Sequence, residues 1–324
     1  MRHWIRVTAL LAVACGGSKP PPDHPPSFDL PMTDAAPQAT PDAAVAEVPV
    51  APTGPSSFAV PGGPITVTLV AKGKKGKAEA LRYQLTAGSA QVLDHTLDVE
   101  LEYTVPSANQ KQSQKAPTQS FGRTTEVVSV DAGADAAVVK STLDRGSAAD
   151  AAMTEGLEQL KGTTIEATFD AQGRPGDATV VSRAPDLESA KTIAGLLENR
   201  TRAVVLPTEP IAVGGSWKVI RKERVNDIES EVTTTYKLTA RKGDTLTVTG
   251  VLTSTTLPQT LQSPQGPIDV KEMTGGGTLT ATIDLKRPAP AIKYEEAYDA
   301  VMVLNGMDVR VVSKIASTQV VRDR

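Results

Sequence analysis

The stretch Leu93-Asp94-His95-Thr96-Leu97-Asp98-Val99-Glu100-Leu101-Glu102-Tyr103-Thr104-Val105 decides the fold class. Its odd positions carry Leu, His, Leu, Val, Leu, Tyr and Val, and its even positions carry Asp, Thr, Asp, Glu, Glu and Thr. Side chains alternate between the two faces of a strand, so this period of two describes a strand with one face in a core and the other in water. Such a strand belongs in an antiparallel sheet, because the strands of a parallel sheet are apolar on both faces.

The same pattern extends in both directions. Ile65–Ala71 alternates Thr with aliphatic residues, and after the basic turn Lys72–Lys77 it resumes at Leu81–Thr86. A polar, Gln-rich loop over Pro106–Ser120 precedes strands at Thr124–Val130 and Ala137–Leu143. Thr163–Phe169 and Ala178–Ser182 form a hairpin around Gly173-Arg174-Pro175-Gly176. Beyond Pro210 come strands at Ser216–Arg224, Glu229–Ala240, Thr245–Thr255, Thr278–Leu285, Ile292–Leu304 and Met307–Val321. Turns are expected at Arg241–Asp244, Gly275–Gly277, Pro288–Pro290 and Asn305-Gly306, of which Asn-Gly is the strongest hairpin signal.

Two helices interrupt the strands. Ser147 is the expected cap of Ala148–Lys161, with Met153, Leu157 and Leu160 on one stripe. A second helix begins at Pro185-Asp186 and carries Leu187, Ala190, Ile193, Ala194 and Leu197. Many strands with short connections make a large antiparallel sheet, which must curl or close to manage its twist and its edges. The expected fold is mainly β (α+β): a large curved antiparallel sheet or half-barrel meander with two covering helices. It forms one β-rich domain over 58–324, with a point of subdivision near 206–215.

Composition narrows the function classes. Of the 324 residues 40% are hydrophobic but only 3% are aromatic, so the core is aliphatic and the composition argues against a groove paved with rings. A net charge of -3 argues against a nucleic-acid surface, which needs clustered Lys and Arg. One cysteine excludes an internal disulfide framework and a thiolate zinc site. His3 and His24 lie outside the body, which leaves His95 alone and no basis for a multi-His metal site or a His-based triad. No catalytic, cofactor-binding or metal-ligating residues are expected.

The N-terminus reads as an address. Arg2 and Arg6 precede the apolar run Val7–Ala14, which gives residues 1–14 the form of an export signal too short to remain as a membrane span. Leu11-Ala12-Val13-Ala14-Cys15-Gly16 resembles the lipobox of bacterial lipoproteins, although Ala12 stands where that family most often has Leu. The resemblance implies cleavage before Cys15 and acylation of that cysteine. Gly16, in place of Asp, implies release to the outer membrane. Residues 15–57 form the tether: eleven of the 24 prolines lie between Lys19 and Ser56, and no apolar periodicity accompanies them. Such a segment cannot offset its ordering entropy by burial, and reaches at most about 120 Å at ~3.1 Å per residue.

A second resemblance rests on Gly162-Thr163-Thr164-Ile165, Asp170-Ala171-Gln172-Gly173 and Pro210-Ile211-Ala212-Val213-Gly214-Gly215-Ser216-Trp217. Over its C-terminal half the chain resembles a family of uncharacterised bacterial exported lipoproteins. That likeness implies an envelope location and β-rich structure, but no activity. At the level of architecture, the chain also resembles the half-barrel lipid and lipoprotein carriers of bacterial envelopes.

The chemical candidates are few. Ser216 lacks the second glycine of a nucleophile elbow and has no base placed for it, and Trp217 reads as a sheet plug whose N–H finds a partner. Gly62-Gly63 and Gly275–Gly277 lack the Lys-Ser/Thr of a phosphate loop and read as turns. Tyr294, Glu296 and Tyr298 share one strand face, opposite Glu295 and Asp299, and mark the best-placed polar cluster. Two carboxylates on one face at this spacing could perform acid–base chemistry or hold Ca²⁺, but the preferred reading is a solvated strand face. The acids Asp94, Asp98, Glu100 and Glu102 read as a wet face paired across the sheet. His95 reads as a core residue, and Lys72–Lys77 as a soluble hairpin tip.

The expected protein is a non-enzymatic lipoprotein held through Cys15 in the bacterial outer membrane. Its body lies in the periplasm, with surface exposure as the alternative, and its curved sheet binds a lipid or acyl chain or meets an envelope protein. A packed interaction module is the alternative function, and a hydrolase using carboxylates such as Glu296 is the remote one.

Overall fold

Two antiparallel meanders meet side by side in one sheet. The structure is a computed structural model that describes residues 56–182 and 204–322, apart from 132, 134, 226–227, 264–265 and 305. The signal, Cys15, nearly all of the tether and the expected helix from Pro185 lie outside the described residues.

The N-terminal half supplies β1 (Ser56–Val60), β2 (Ile65–Ala71), β3 (Lys75–Glu79), β4 (Ala90–Val105), β5 (Gln110–Lys115), β6 (Gln119–Asp131), β7 (Ala136–Ala148), β8 (Thr164–Asp170) and β9 (Pro175–Ser182), with helix α1 (Ala151–Glu158) before β8. The C-terminal half supplies β10 (Ile211–Val213), β11 (Ser216–Val225), β12 (Ile228–Lys242), β13 (Thr245–Thr256), β14 (Gln259–Ser263), β15 (Gly266–Asp284), β16 (Ala291–Leu304) and β17 (Met307–Arg322). Fifteen strands form one sheet in the order β1-β9-β8-β7-β6-β4-β17-β16-β15-β13-β12-β11-β2, with β5 beside β4 and β14 beside β15. β3 and β10 make a separate pair. The fold is mainly β and curved. Among the described residues its ladder is not closed, since β1 pairs with β9, β2 pairs with β11, and no ladder joins β1 to β2.

The two halves share a ladder because β17 lies against β4 from Arg310–Thr104 to Arg322–Val92. On β4 the expected alternation holds. Leu93, His95, Leu97, Val99 and Leu101 are buried, and the even positions face outward. The outward acids are paired as expected: Asp94 with Arg145 and Arg322, Glu100 with Lys115 and Glu102 with Lys111.

One end of the sheet is floored. Leu81–Thr86 is not a strand but an extended segment that crosses this end. Its backbone bonds to the turns between other strands, Tyr83 N to Ala171 O (2.8 Å) and Gln84 N to Leu285 O (2.7 Å). A second segment, Val204–Leu206, lies beside it, with Leu206 N bonded to Gln172 O. Leu81, Leu206, Trp217, Leu238 and Leu246 fill the space between them and are all 0% exposed. Trp217 is the expected plug. Its indole N–H donates to Val205 O at 2.8 Å and its ring stacks on Tyr236.

Four further expectations are corrected. The Lys72–Lys77 stretch is no hairpin tip: Gly73 turns the chain at φ +81° and the following residues enter β3, paired with β10. Part of the Gln-rich loop is β5, which extends the β4 hairpin because its polar side chains can all remain in water. Helix α1 starts later than expected, because Ser147 stays in the β7 ladder opposite Ser120 and Asp150 accepts from Met153 N instead. Leu157 and Leu160 seat α1 on β7, where Gly146 leaves room that a Cβ would take.

The fourth correction concerns Gly275–Gly277, which lie in the middle of β15 rather than in a turn. Their partners explain the glycines. Gly275 pairs with Tyr298 and Gly277 with Glu296, and a Cβ on Gly275 would come within 2.3 Å of the Tyr298 ring. The ring thus lies over bare backbone and covers the strand that a side chain would otherwise cover. Replacing Gly275 with Val should displace the ring and cost about 1–3 kcal/mol, read as a lower urea midpoint with an unchanged slope.

Candidate functional site

The inward face of the sheet is polar at mid-depth. Strand β11 turns Trp217 and Val219 into the floor cluster, and two residues further on its inward positions are Arg221 and Glu223. Strand β16 reads inward as Ile292, Tyr294, Glu296 and Tyr298 before it becomes apolar again at Ala300 and Met302. β11 and β16 are four ladder steps apart, about 19 Å measured along the sheet. Yet Glu296 acts on Arg221, and Glu223 on Tyr298, through space. The curl of the sheet brings them together.

Arg221, Tyr236 and Tyr298 are held in their protonated forms. Arg221 Nε donates to Glu223, with side chains only 13% and 12% exposed. Burial acts to lower the Arg221 pKa, but Glu223 above all, then Tyr236 and Glu296, leave it above the ordinary guanidinium value. Tyr298 Oη donates to Glu296 Oε2 at 2.9 Å. Burial, then the Glu296 charge and that hydrogen bond, push the phenol well above the usual tyrosine range. Burial likewise raises Tyr236, although Arg221 and Thr234 oppose it.

The solvated-face reading is corrected for one side of the cluster: Tyr294, Glu296 and Tyr298 are partly buried on the inner face, because the curled sheet makes that face an interior, while Glu295 and Asp299 face outward into water. Asp299 accepts from Arg310 Nε and Nη2 and Glu295 meets Lys293, and the Arg310 bonds lower the Asp299 pKa. Sequence reasoning missed Arg221, which feels the Glu296 charge, and Glu223 and Tyr236, which act on Arg221. In β11 the outward positions Lys218 and Lys222 are also charged, so alternation gave no sign that the Arg221–Glu223 pair faces inward.

A second polar patch serves the fold. His95 Nε2 meets the Ser317 hydroxyl and its ring stacks on Phe121 at 6.0 Å, as a core histidine does. Arg123 Nη2 donates to Gln319 Oε1, Gln319 Nε2 donates to Pro290 O, and Gln91 Oε1 accepts from Ala289 N. These bonds pin the Pro288–Pro290 turn to β4 and β17. Ser216 is bound into β11 between β12 and β2. Among the described residues, no three His, Cys, Asp or Glu side chains gather as metal ligands, and no helix is long and apolar enough to cross a membrane.

No family model matches this sequence, and no curated protein matches it. Among solved structures, the chain has a likeness to Salmonella typhi OmpF in complex with daunomycin, at 8% identity and a TM-score of 0.23, covering 72% of this chain and 98% of the porin. Another is to a putative exported protein of YmcC-like fold from Bacteroides fragilis, at 11% identity and a TM-score of 0.17, covering 73% of this chain and 97% of that one. At these scores neither likeness carries an argument about this chain.

Two measurements probe the inner belt. Replacing Arg221 with Met leaves Glu223 without its guanidinium partner and should cost about 3 kcal/mol. The double variant Arg221→Met/Glu223→Leu should recover at least half of that in urea unfolding. In an alkaline titration followed at 295 nm, Tyr83, Tyr236 and Tyr298 should stay protonated through the ordinary tyrosine range. Their raised folded pKa values give stability that is complete below the unfolded value of about 10 and declines above it, so their ionisation should coincide with cooperative unfolding.

Proposed function

We propose that the protein is a non-enzymatic, lipid-anchored component of the bacterial envelope whose inward sheet face binds an apolar ligand such as an acyl chain. The anchor rests on the signal-like residues 1–14, on Cys15 and on the proline-rich tether. With Gly16 after the cysteine, the reading sets the anchor in the outer membrane and the body in the periplasm.

One observation carries the ligand reading: the two ends of the sheet are filled differently. The floor is closed by side chains without exposed surface. Towards the other end the apolar residues divide into two clusters, Leu97, Val99 and Leu101 in one and Val270, Met302 and Val311 in the other. Both are flanked by partly exposed apolar side chains, with Ile315 at the first, Met273 and Leu304 at the second, and Tyr103 touching both. Leaving such groups partly wet forgoes about 25 cal/mol per Å² of apolar surface, which a bound chain would recover. The binding preference would be for shape and apolarity, since the lining is aliphatic.

The second reading, a packed interaction module, is favoured by β5, a six-residue strand that is exposed throughout and pairs only with β4 among the described strands. Its lysines, held by Glu100 and Glu102, are the kind of residue that keeps an edge from pairing, and this sets the reading second.

Mass spectrometry of the full chain carrying Cys15→Ser, purified without detergent, separates the two. The ligand reading expects a co-purified lipid near one per chain, reduced several-fold by Met273→Glu/Leu304→Glu with circular dichroism unchanged. A ligand-free chain that also fails to take up added palmitate would move the assignment to the interaction module.

A further inference from the structure

The two end strands of the sheet are consecutive in the chain. β1 ends at Val60, β2 begins at Ile65, and only Pro61-Gly62-Gly63-Pro64 separates them. One extended segment, Ser56–Ala71, thus leaves the β9 edge and joins the β11 edge. Its middle is gripped from both sides. A Cβ on Gly62 would lie 2.7 Å from the Gly176 backbone of β9, and one on Gly63 would lie 3.1 Å from Lys222 O of β11. The Gly62 N–H donates to Asp177 Oδ1 at 2.8 Å, at an exposed position.

The two halves of this segment are held unequally. β2 places Ile65, Val67 and Leu69 against the floor cluster. β1 has five residue pairs with β9, no second strand partner among the described residues, and Phe58 and Val60 turned inward, both partly buried. Phe58 touches two apolar groups, one containing Ile165 and Val180 and the other Leu97 and Phe121. The joint has the composition of a hinge. The two prolines fix their own φ, and the two glycines between them concentrate the remaining freedom at two residues.

We propose that β1 is a strap that swings on Gly62-Gly63, latched by Asp177, and that its release uncovers the inner face beside β9 and admits the apolar ligand. This rests on the apolar-ligand reading for what passes, but not for the motion itself. Local release of an end strand needs only its own contacts to be lost, whereas the floor and the β4–β17 ladder stay intact.

The test uses the full chain with Cys15→Ser. Hydrogen exchange should show the amides of Ser57–Val60 opening at least 100-fold faster than those of Ala297–Val301, and Asp177→Ala should quicken the strap alone. Equal protection of the two segments would overturn the strap.

Ala59 and Thr179 are register partners with exposed side chains, so Ala59→Cys/Thr179→Cys can bridge β1 to β9. Uptake of a fluorescent polyene fatty acid should be at least tenfold slower in the oxidised form and return to the unsubstituted rate on reduction. Equal uptake in both forms would overturn the strap as the route. Failure of the unsubstituted chain to take up the probe would overturn the apolar-ligand reading instead, and the exchange rates would then decide the strap by themselves.

Discussion

Four residues, Pro61 to Pro64, constrain the whole molecule. They tie together strands that stand at opposite ends of a long ladder, so the sheet cannot lie open and must turn back on itself. Once it does, one face becomes an interior and the other a surface, and the alternation along every strand acquires a meaning. The outward acids of β4 and the buried aliphatic residues that alternate with them follow from that single return. The ladder need not close by hydrogen bonds for this to hold. Covalent continuity does what edge pairing does in a barrel, and leaves a seam where, among the described residues, the two end strands are bonded on one side only.

An interior made in this way has ends, and the chain treats them differently. Floor closure relies on backbone hydrogen bonds from two irregular segments to the turns of the sheet, with Trp217 joining one of them by its indole N–H. Aliphatic residues can fill that space because the backbone groups of the crossing segments are satisfied by turns rather than left in the core. Further along the axis the lining becomes polar at Arg221, Glu223, Glu296 and Tyr298, and then aliphatic again. A charged belt between two apolar zones is expensive to bury. It is held by mutual pairing: a guanidinium on a carboxylate, a phenol on a carboxylate, and a tyrosine between arginine and tryptophan.

The glycines of β15 show how sequence and tertiary structure trade places. Read alone, Gly275-Gly276-Gly277 is a turn, because three glycines are poor strand formers. In the sheet they are the surface on which Tyr298 and the backbone of Glu296 rest, and the ring supplies the cover that the glycines lack. The same reversal explains β5 and β3. Both are polar stretches that pattern assigns to loops, and both become strands because a neighbouring edge offers hydrogen bonds that require no apolar side chain.

By itself the sequence determined whatever depends on local spacing. Period two in Leu93–Val105 specified which side of β4 is buried, Asn305-Gly306 specified where β16 returns as β17, and the outward acids of β4 announced that basic partners would face them. These are short-range consequences of the pleat and of turn geometry. Only the tertiary structure decided that β17 lies beside β4, that Leu81–Thr86 leaves the sheet to floor it, and that the Arg221–Glu223 pair comes within electrostatic reach of Glu296 and Tyr298. Each of those depends on contacts between residues remote along the chain. The curvature that makes them is a property of the assembled ladder, set where β1 and β2 are forced to be neighbours in sequence and end strands in space.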